Sequence, residues 1–285
     1  MEDMVRKTEF SSEAAKRREP YNVIPHRGKK VLIFRTIGLL SDFVIAQWRE
    51  ISEKAIKEKG RFTVALSGGS TPVFLYKKLS QENVLPWKET HIFMVDERFV
   101  PYEDDKNNLS MINRTLLIHL NIPKENIHSI ATDEKTPAAS AAKYEKKLFS
   151  FFRTSGNGLP QFDLILLGIG EDGHTASLFP QTKSVREEKR LTVAVSPKSK
   201  TKKDRITITL PLISNAENIM FLVTGENKAK IVKEVIEKKK SLLPAAMVKP
   251  ENGRLLFLLD EGAGRLLKNN KEVFYVKGGR QSGEF

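Results

Sequence analysis

FDLILLGIGEDGHTASLFP, residues 162–180, decides how the rest of the chain is read. Its apolar run, 164–167, has no polar break and ends at a glycine, the pattern of a central strand buried on both faces. Two acids, a histidine, a threonine and a serine then crowd into residues 171–177. That cluster lies just past the carboxyl end of the strand, where open α/β sheets place their ligands. The same residues spell GxGxxG at Gly168, Gly170 and Gly173, on paper a dinucleotide-binding loop. Such a loop must open a long helix whose amino end faces a pyrophosphate. Here only residues 174–179 come before Pro180, and proline ends a helix. The dinucleotide reading is set aside.

Outward from this segment, strand and helix patterns alternate, which predicts an α/β domain with a largely parallel sheet. Strands are expected at 30–35, 62–66, 91–95, 162–167, 219–224 and 255–259. Helices are expected at 39–59 (ended by Gly60), 73–79, 109–120, 138–152 after Thr136-Pro137, and 228–239. ITITL at 206–210 alternates cleanly and reads as an antiparallel or edge element. No repeat, linker or internal boundary stands out. One domain is expected over 22–270, behind a polar, disordered leader at 1–21 and before a tail at 271–285.

Composition narrows the class. The chain has 285 residues, no cysteine and a formal net charge of +13. Zero cysteines exclude disulfides, thiol catalysis and cysteine metal sites. No apolar stretch approaches the roughly 18 residues a membrane helix needs. The first twenty residues hold five acids and five bases, unlike a signal or transit peptide. A cytoplasmic protein, monomeric or a weak homo-oligomer, is the expectation. Five cations fall within 198–205, but no aromatic residue interleaves them and no nucleic-acid module is present. They read as a solvated basic loop that helps draw in an anionic small substrate.

Three further strand ends carry polar motifs. SGGSTP at 67–72 has Gly68 and Gly69 for close backbone approach, with Thr71 placed to cap a helix that Pro72 opens. A helix amino end with Ser70 and Thr71 suits an anion, although a plain capped turn looks the same. At 225–228, GENK puts Lys228 in a first helical turn, where the helix dipole disfavours a cation unless an anion offsets it. Asp96-Glu97-Arg98 is either a surface ion cluster or a phosphate grip through Arg98. Among five histidines none pairs with another at metal-ligand spacing, so no metal is expected. Only His174 is flanked by acids, small residues and glycines. It suits a general base, and equally a hydrogen-bonded loop histidine.

Taken together, these stretches resemble the 6-phosphogluconolactonase family. The matching residues are SGGSTP (67–72), VDERFVP (95–101) with Asn107 and Asn108, and LGIGEDGHTASLFP (167–180). RITITLP (205–211), GENKA (225–229) and PAAMV (244–248) continue it in order. The resemblance implies a three-layer, largely parallel, Rossmann-like sheet flanked by helices, of the deaminase/isomerase type, with a small additional β element. It also implies hydrolysis of 6-phosphoglucono-δ-lactone, a sugar phosphate lactone, without cofactor. Glucosamine-6-phosphate deaminases are the nearest alternative. They look like DEY and DGHIAFNEP where this chain has Arg98 and HTASLFP, which favours the lactonase. A non-catalytic sugar-phosphate sensor is a second alternative, opposed by retention of His174 and its acids. By this resemblance His174 activates water and Asp172 either orients it or only turns the chain. Gly68, Gly69, Ser70, Thr71, Asp96, Arg98, Gly170, Arg205 and Lys228 would meet substrate and its phosphate.

Overall fold

The computed structural model describes residues 21–26, 29–154, 158–197 and 203–268. In chain order its strands are β1 (Tyr21–His26), β2 (Lys29–Phe34), β3 (Phe62–Leu66), β4 (Thr90–Met94), β5 (Asp96–Arg98), β6 (Ile127–His128), β7 (Leu164–Leu167), β8 (Thr192–Val195), β9 (Arg205–Ile208), β10 (Asn218–Val223) and β11 (Arg254–Asp260). Its helices are α1 (Ile37–Lys59), α2 (Ser70–Leu79), α3 (Asn108–Thr115), α4 (Pro137–Phe152), α5 (Leu210–Ser214), α6 (Ala229–Glu237), α7 (Pro244–Met247) and α8 (Glu261–Gly264).

The unbroken apolar runs become the inner strands, because a strand covered on both faces has no solvent side to present. Every residue of β3, β7 and β10 is buried. They sit at the middle of an eight-stranded sheet of order β1-β2-β11-β10-β7-β3-β4-β6, parallel throughout except where β1 pairs with β2. From β3 the chain runs outward to β4 and β6, whereas from β7 it runs the other way to β10 and β11. The crevice at their carboxyl ends is therefore a topological switch point. A second sheet, antiparallel and ordered β5-β9-β8, stands beside it.

Helix α1 follows its sequence signals. Thr36 Oγ1 accepts the Leu39 N–H at 3.2 Å, and Gly60 takes a left-handed φ of 71° that ends the helix. Its Leu40, Val44 and Trp48 are fully buried, Trp48 edge-on to Phe62 of β3 at 5.4 Å. Each such side chain contributes roughly 1.5–3 kcal/mol of burial. Helix α4 is capped by Thr136 with Pro137 at its opening turn, and its Tyr144 hydroxyl bonds both the N–H and the carbonyl of Met94.

Several boundaries differ from expectation. Helix α2 begins at Ser70 with Gly69 as N-cap, so Thr71 lies inside the first turn and caps nothing. Gly69 has φ 116°, which lets the chain enter the helix before Thr71. Helix α3 stops at Thr115, and a single 3-10 turn, Leu117–His119, replaces its expected last turn. Helix α6 ends at Glu237 because Lys238 is extended. Strands β1, β5, β6 and β8 are additional. Strand β1 opens at Tyr21, inside the expected leader; residues 1–20 and 269–285, and 198–202 of the cationic run, lie outside the described residues. No described helix is long and apolar enough to cross a membrane.

One buried acid pins the sheet at its other end. Asp163, 2 % exposed, accepts from Thr63 N and Oγ1 at 2.8 and 2.7 Å and from Lys59 Nζ at 2.6 Å. Asp163→Ala strands a buried N–H and hydroxyl at once. A loss of about 3 kcal/mol is expected in urea unfolding; a change below about 1 kcal/mol would show the contacts are dispensable.

Candidate active site

The carboxyl ends of β3, β4, β7 and β10 surround a cleft of about 450 Å³. Gly68, Gly69, Ser70, Thr71, Asp96, Arg98, Gly170, Asp172, His174, Arg205 and Lys228 all line it, although they come from five separate stretches of chain. The topology gathers them.

At the centre is the loop after β7. Gly173, at φ 81°, turns the chain so that the Gly170 N–H donates to the His174 carbonyl at 2.8 Å, closing the loop on itself. A side chain at Gly170 would run into the imidazole: an added Cβ would lie 2.0 Å from His174 Nδ1. Gly170 thus makes room for the ring, and its own N–H is already engaged, so it has no donor left for substrate. From behind, Ala245 N donates to the Gly173 carbonyl at 3.1 Å and Leu243 fills the space a side chain at 173 would need.

His174 Nδ1 makes a short hydrogen bond to Asp172 Oδ1, which also accepts the His174 N–H at 3.1 Å. With Nδ1 carrying the hydrogen toward the carboxylate, Nε2 is left with its lone pair. Burial pushes the histidine below its usual range, opposed by Asp172 and Asp96 and assisted by Arg205. The net shift favours the neutral ring. Asp172 does more than turn the chain; it holds the imidazole.

The glycine loop after β3 forms the next wall. Ser67 Oγ donates to the Leu166 carbonyl at 2.8 Å, and Tyr76 Oη donates to the Ser67 carbonyl at 2.7 Å. Helix α2 has no side-chain cap, so its first N–H groups remain open toward the cleft and its dipole favours an anion there. Thr71 Oγ1 shares a 2.9 Å hydrogen bond with Thr224 Oγ1 at the end of β10. Lys228 follows that strand end at the amino end of α6, and no described group pairs with its ammonium.

The opposite wall is built by the small sheet. Register sets Asp96 against Thr207 and Arg98 against Arg205, which brings two arginines side by side. Arg98 Nη1 donates to the Lys106 carbonyl at 2.7 Å. Glu97 is fully buried and accepts three backbone N–H groups, those of Arg98, Asn108 and Leu109. Burial pushes its carboxyl up to about 7 even against those donors. Glu97 thereby anchors the amino end of α3 and fixes Asn108, whose Nδ2 donates to the Asp96 carbonyl at 3.0 Å. The Asn108 carboxamide lies where a side chain at Gly68 would be, 1.8 Å from an added Cβ. Gly68 is needed for that approach.

Asn108, Ser177 and Thr224 complete the surroundings, and sequence reasoning gave none of them a role. Asn108 was visible as a residue of the family match, beside a helix start, but with no role attached. Ser177 showed only as the serine of the 171–177 cluster and Thr224 only as the end of an apolar strand, because their partners are 81 and 153 residues away. His91 and His128, unpaired by spacing, meet in space at 3.1 Å, stacked among Phe93 and Phe151. Neither lines the cleft.

Comparison with known proteins adds to this geometry. A family described as glucosamine-6-phosphate isomerases/6-phosphogluconolactonase matches residues 38–257. A 6-phosphogluconolactonase of Nostoc sp. is 42% identical over 214 residues, covering 74% of this chain and 87% of its own. One of Synechocystis sp. is 41% identical over 217 residues, covering 75% and 88%. The solved 6-phosphogluconolactonase of Trypanosoma brucei superposes with a TM-score of 0.74 at 30% identity, over 84% of this chain and 98% of its own.

Proposed function

Because this chain belongs to the glucosamine-6-phosphate isomerase/6-phosphogluconolactonase family, we infer that it is an enzyme of the lactonase branch, hydrolysing 6-phospho-D-glucono-1,5-lactone to 6-phosphogluconate. The observation that carries the mechanism is the Asp172–His174 pair at the centre of the cleft. His174 Nε2 takes a proton from a water, and the resulting hydroxide adds to the lactone carbonyl carbon. The tetrahedral intermediate carries one negative oxygen. As it collapses, the ring C–O bond breaks and the imidazolium returns its proton to the leaving oxygen. The products are a free hydroxyl and the carboxyl group.

The remaining residues hold the substrate. A 6-phosphate finds the open N–H groups of α2, the hydroxyls of Ser70 and Thr71, and the cations Arg98 and Lys228 around the same cleft. Anchoring the phosphate brings carbonyl and water together in reactive geometry. Gly68 and Gly69 let the backbone come close.

The test is acid release from freshly generated lactone set beside ammonia release from glucosamine 6-phosphate. Rapid acid release without ammonia is the expected result. The reverse would assign the chain to the deaminase branch, and neither would point to a sugar-phosphate sensor. The pH profile carries a second expectation. Protonation of His174 removes the base, so kcat/KM falls as pH drops through its pKa. Burial sets that pKa below the usual 6.5, with Asp172, Asp96 and Arg205 as the charges facing the ring. The acidic limb should lie below pH 6.5, and a limb above 7 would contradict a buried neutral base.

A further inference from the structure

Ser177 lies three residues beyond His174, is fully buried, and ties the histidine loop to the small sheet. Its backbone is set by a tight turn in which Leu178 N donates to the Thr175 carbonyl at 2.9 Å. Ala176, within that turn, has φ 50°. A residue with a Cβ is strained in this region, and such strain persists only where the surroundings fix it.

The turn aims the Ser177 hydroxyl inward. Its Oγ donates to Asp96 Oδ2 at 2.5 Å, and its N–H donates to Thr207 Oγ1 at 3.2 Å. Arg205 Nη1 donates to the same Oγ at 3.4 Å, while its distance to Asp96 Oδ2 is 4.0 Å. A hydroxyl has one hydrogen and two lone pairs, so Ser177 gives to the anion and receives from the cation. Arg205 and His174 meanwhile pack on one ring, that of Phe179, at 5.4 and 4.7 Å from its centroid. Both line the cleft, and Arg205 is one of the charges that act on the imidazole.

Resting on the lactonase reading above, we propose that Ser177 is a positioning residue whose hydroxyl joins Asp96 to Arg205 and so holds the guanidinium beside His174, where it steadies the oxyanion of the tetrahedral intermediate. Asp96 has its other oxygen near Asn108 Nδ2, at 3.4 Å. It serves as a fixed counter-charge and leaves the proton transfer to His174. Without the serine hydroxyl, Arg205 closes on Asp96 directly or turns to solvent. Either movement takes a prearranged cation away from where charge develops, the kind of loss that weighs on the transition state.

A double-mutant cycle tests this. Ser177→Ala should lower kcat roughly 10- to 100-fold with KM nearly unchanged. Arg205→Met should lower kcat as well, and the double variant should lose about as much as Arg205→Met alone, because the serine acts through the arginine. Losses that multiply, or a raised KM with kcat intact, would overturn the proposal. Should the alanine variant fail to fold, Ser177→Cys keeps the volume, weakens the donor and enters the same cycle. The lactonase reading fails separately: it requires that the unaltered protein hydrolyse the lactone, whatever the cycle returns.

Discussion

Replacing His174 by alanine is expected to lower kcat by about 10²–10⁴-fold, the usual loss when a positioned general base is removed. The side chain is a quarter exposed and lines an open cleft, so thermal stability should stay near that of the unaltered protein. KM should change little, since the proposed phosphate contacts lie on other elements. Acid release measured against substrate concentration checks all three. A variant that keeps its rate would remove His174 from the mechanism, and Asp172 with it.

Gly170→Ala is expected to cost nearly as much, on the order of 10²-fold in kcat, although alanine is the smallest change available there. The added methyl would lie 2.0 Å from His174 Nδ1 and 2.1 Å from Cε1, so the imidazole must leave its place. Because both changes act through one ring, the Gly170→Ala/His174→Ala double variant should resemble His174→Ala alone. Gly168→Ala is the control. Gly168 also lines the cleft, but an added Cβ at that glycine of the same GxGxxG string meets no protein atom within 4 Å, and the residue has no positive φ, so the loop and the ring keep their places. Its activity should be close to normal. Equal tolerance at both positions would mean that the ring does not rest where the structure puts it.

These two glycines also explain why a sequence pattern misleads here. GxGxxG follows a strand, and the dinucleotide reading fails at Pro180, after which the described residues hold only a 3-10 turn, Lys183–Arg186, before the next α-helix at Leu210. The glycines serve a histidine instead of a pyrophosphate. The central strands were legible because a run such as LILL has no polar residue to put in water. Strand β8 was not, since TVAV mixes buried and part-exposed positions and is only four residues long. Asp-Glu-Arg looked like a strand terminus and proved to be β5, a strand of its own in a second sheet; nothing local to three residues announces a partner 109 residues away. Thr71 followed N-cap chemistry on paper, yet its hydroxyl is drawn to Thr224 instead.

The residues lining the cleft were legible where several motifs agreed, and illegible where function passes through a neighbour. Glu97 illustrates the second case. In sequence it is the middle of an ion cluster; in space it is sealed from water and fixes the helix that presents Asn108. Ser177 is the same kind of residue, small, buried and without local pattern.

Asp163 lies at the far end of the strands from the chemistry, yet it governs how the two halves of the cleft face each other. Strands β3 and β7 are aligned through only two residue pairs, Val64 with Leu164 and Ala65 with Ile165. The glycine loop leaves one of these strands and the histidine loop leaves the other. A slip of one residue would carry the base about 3.3 Å along its neighbour and turn every side chain of β7 to the opposite face. The Asp163–Thr63 clasp acts as an index mark, keeping the histidine loop and the glycine loop on the same scale from more than a strand's length away.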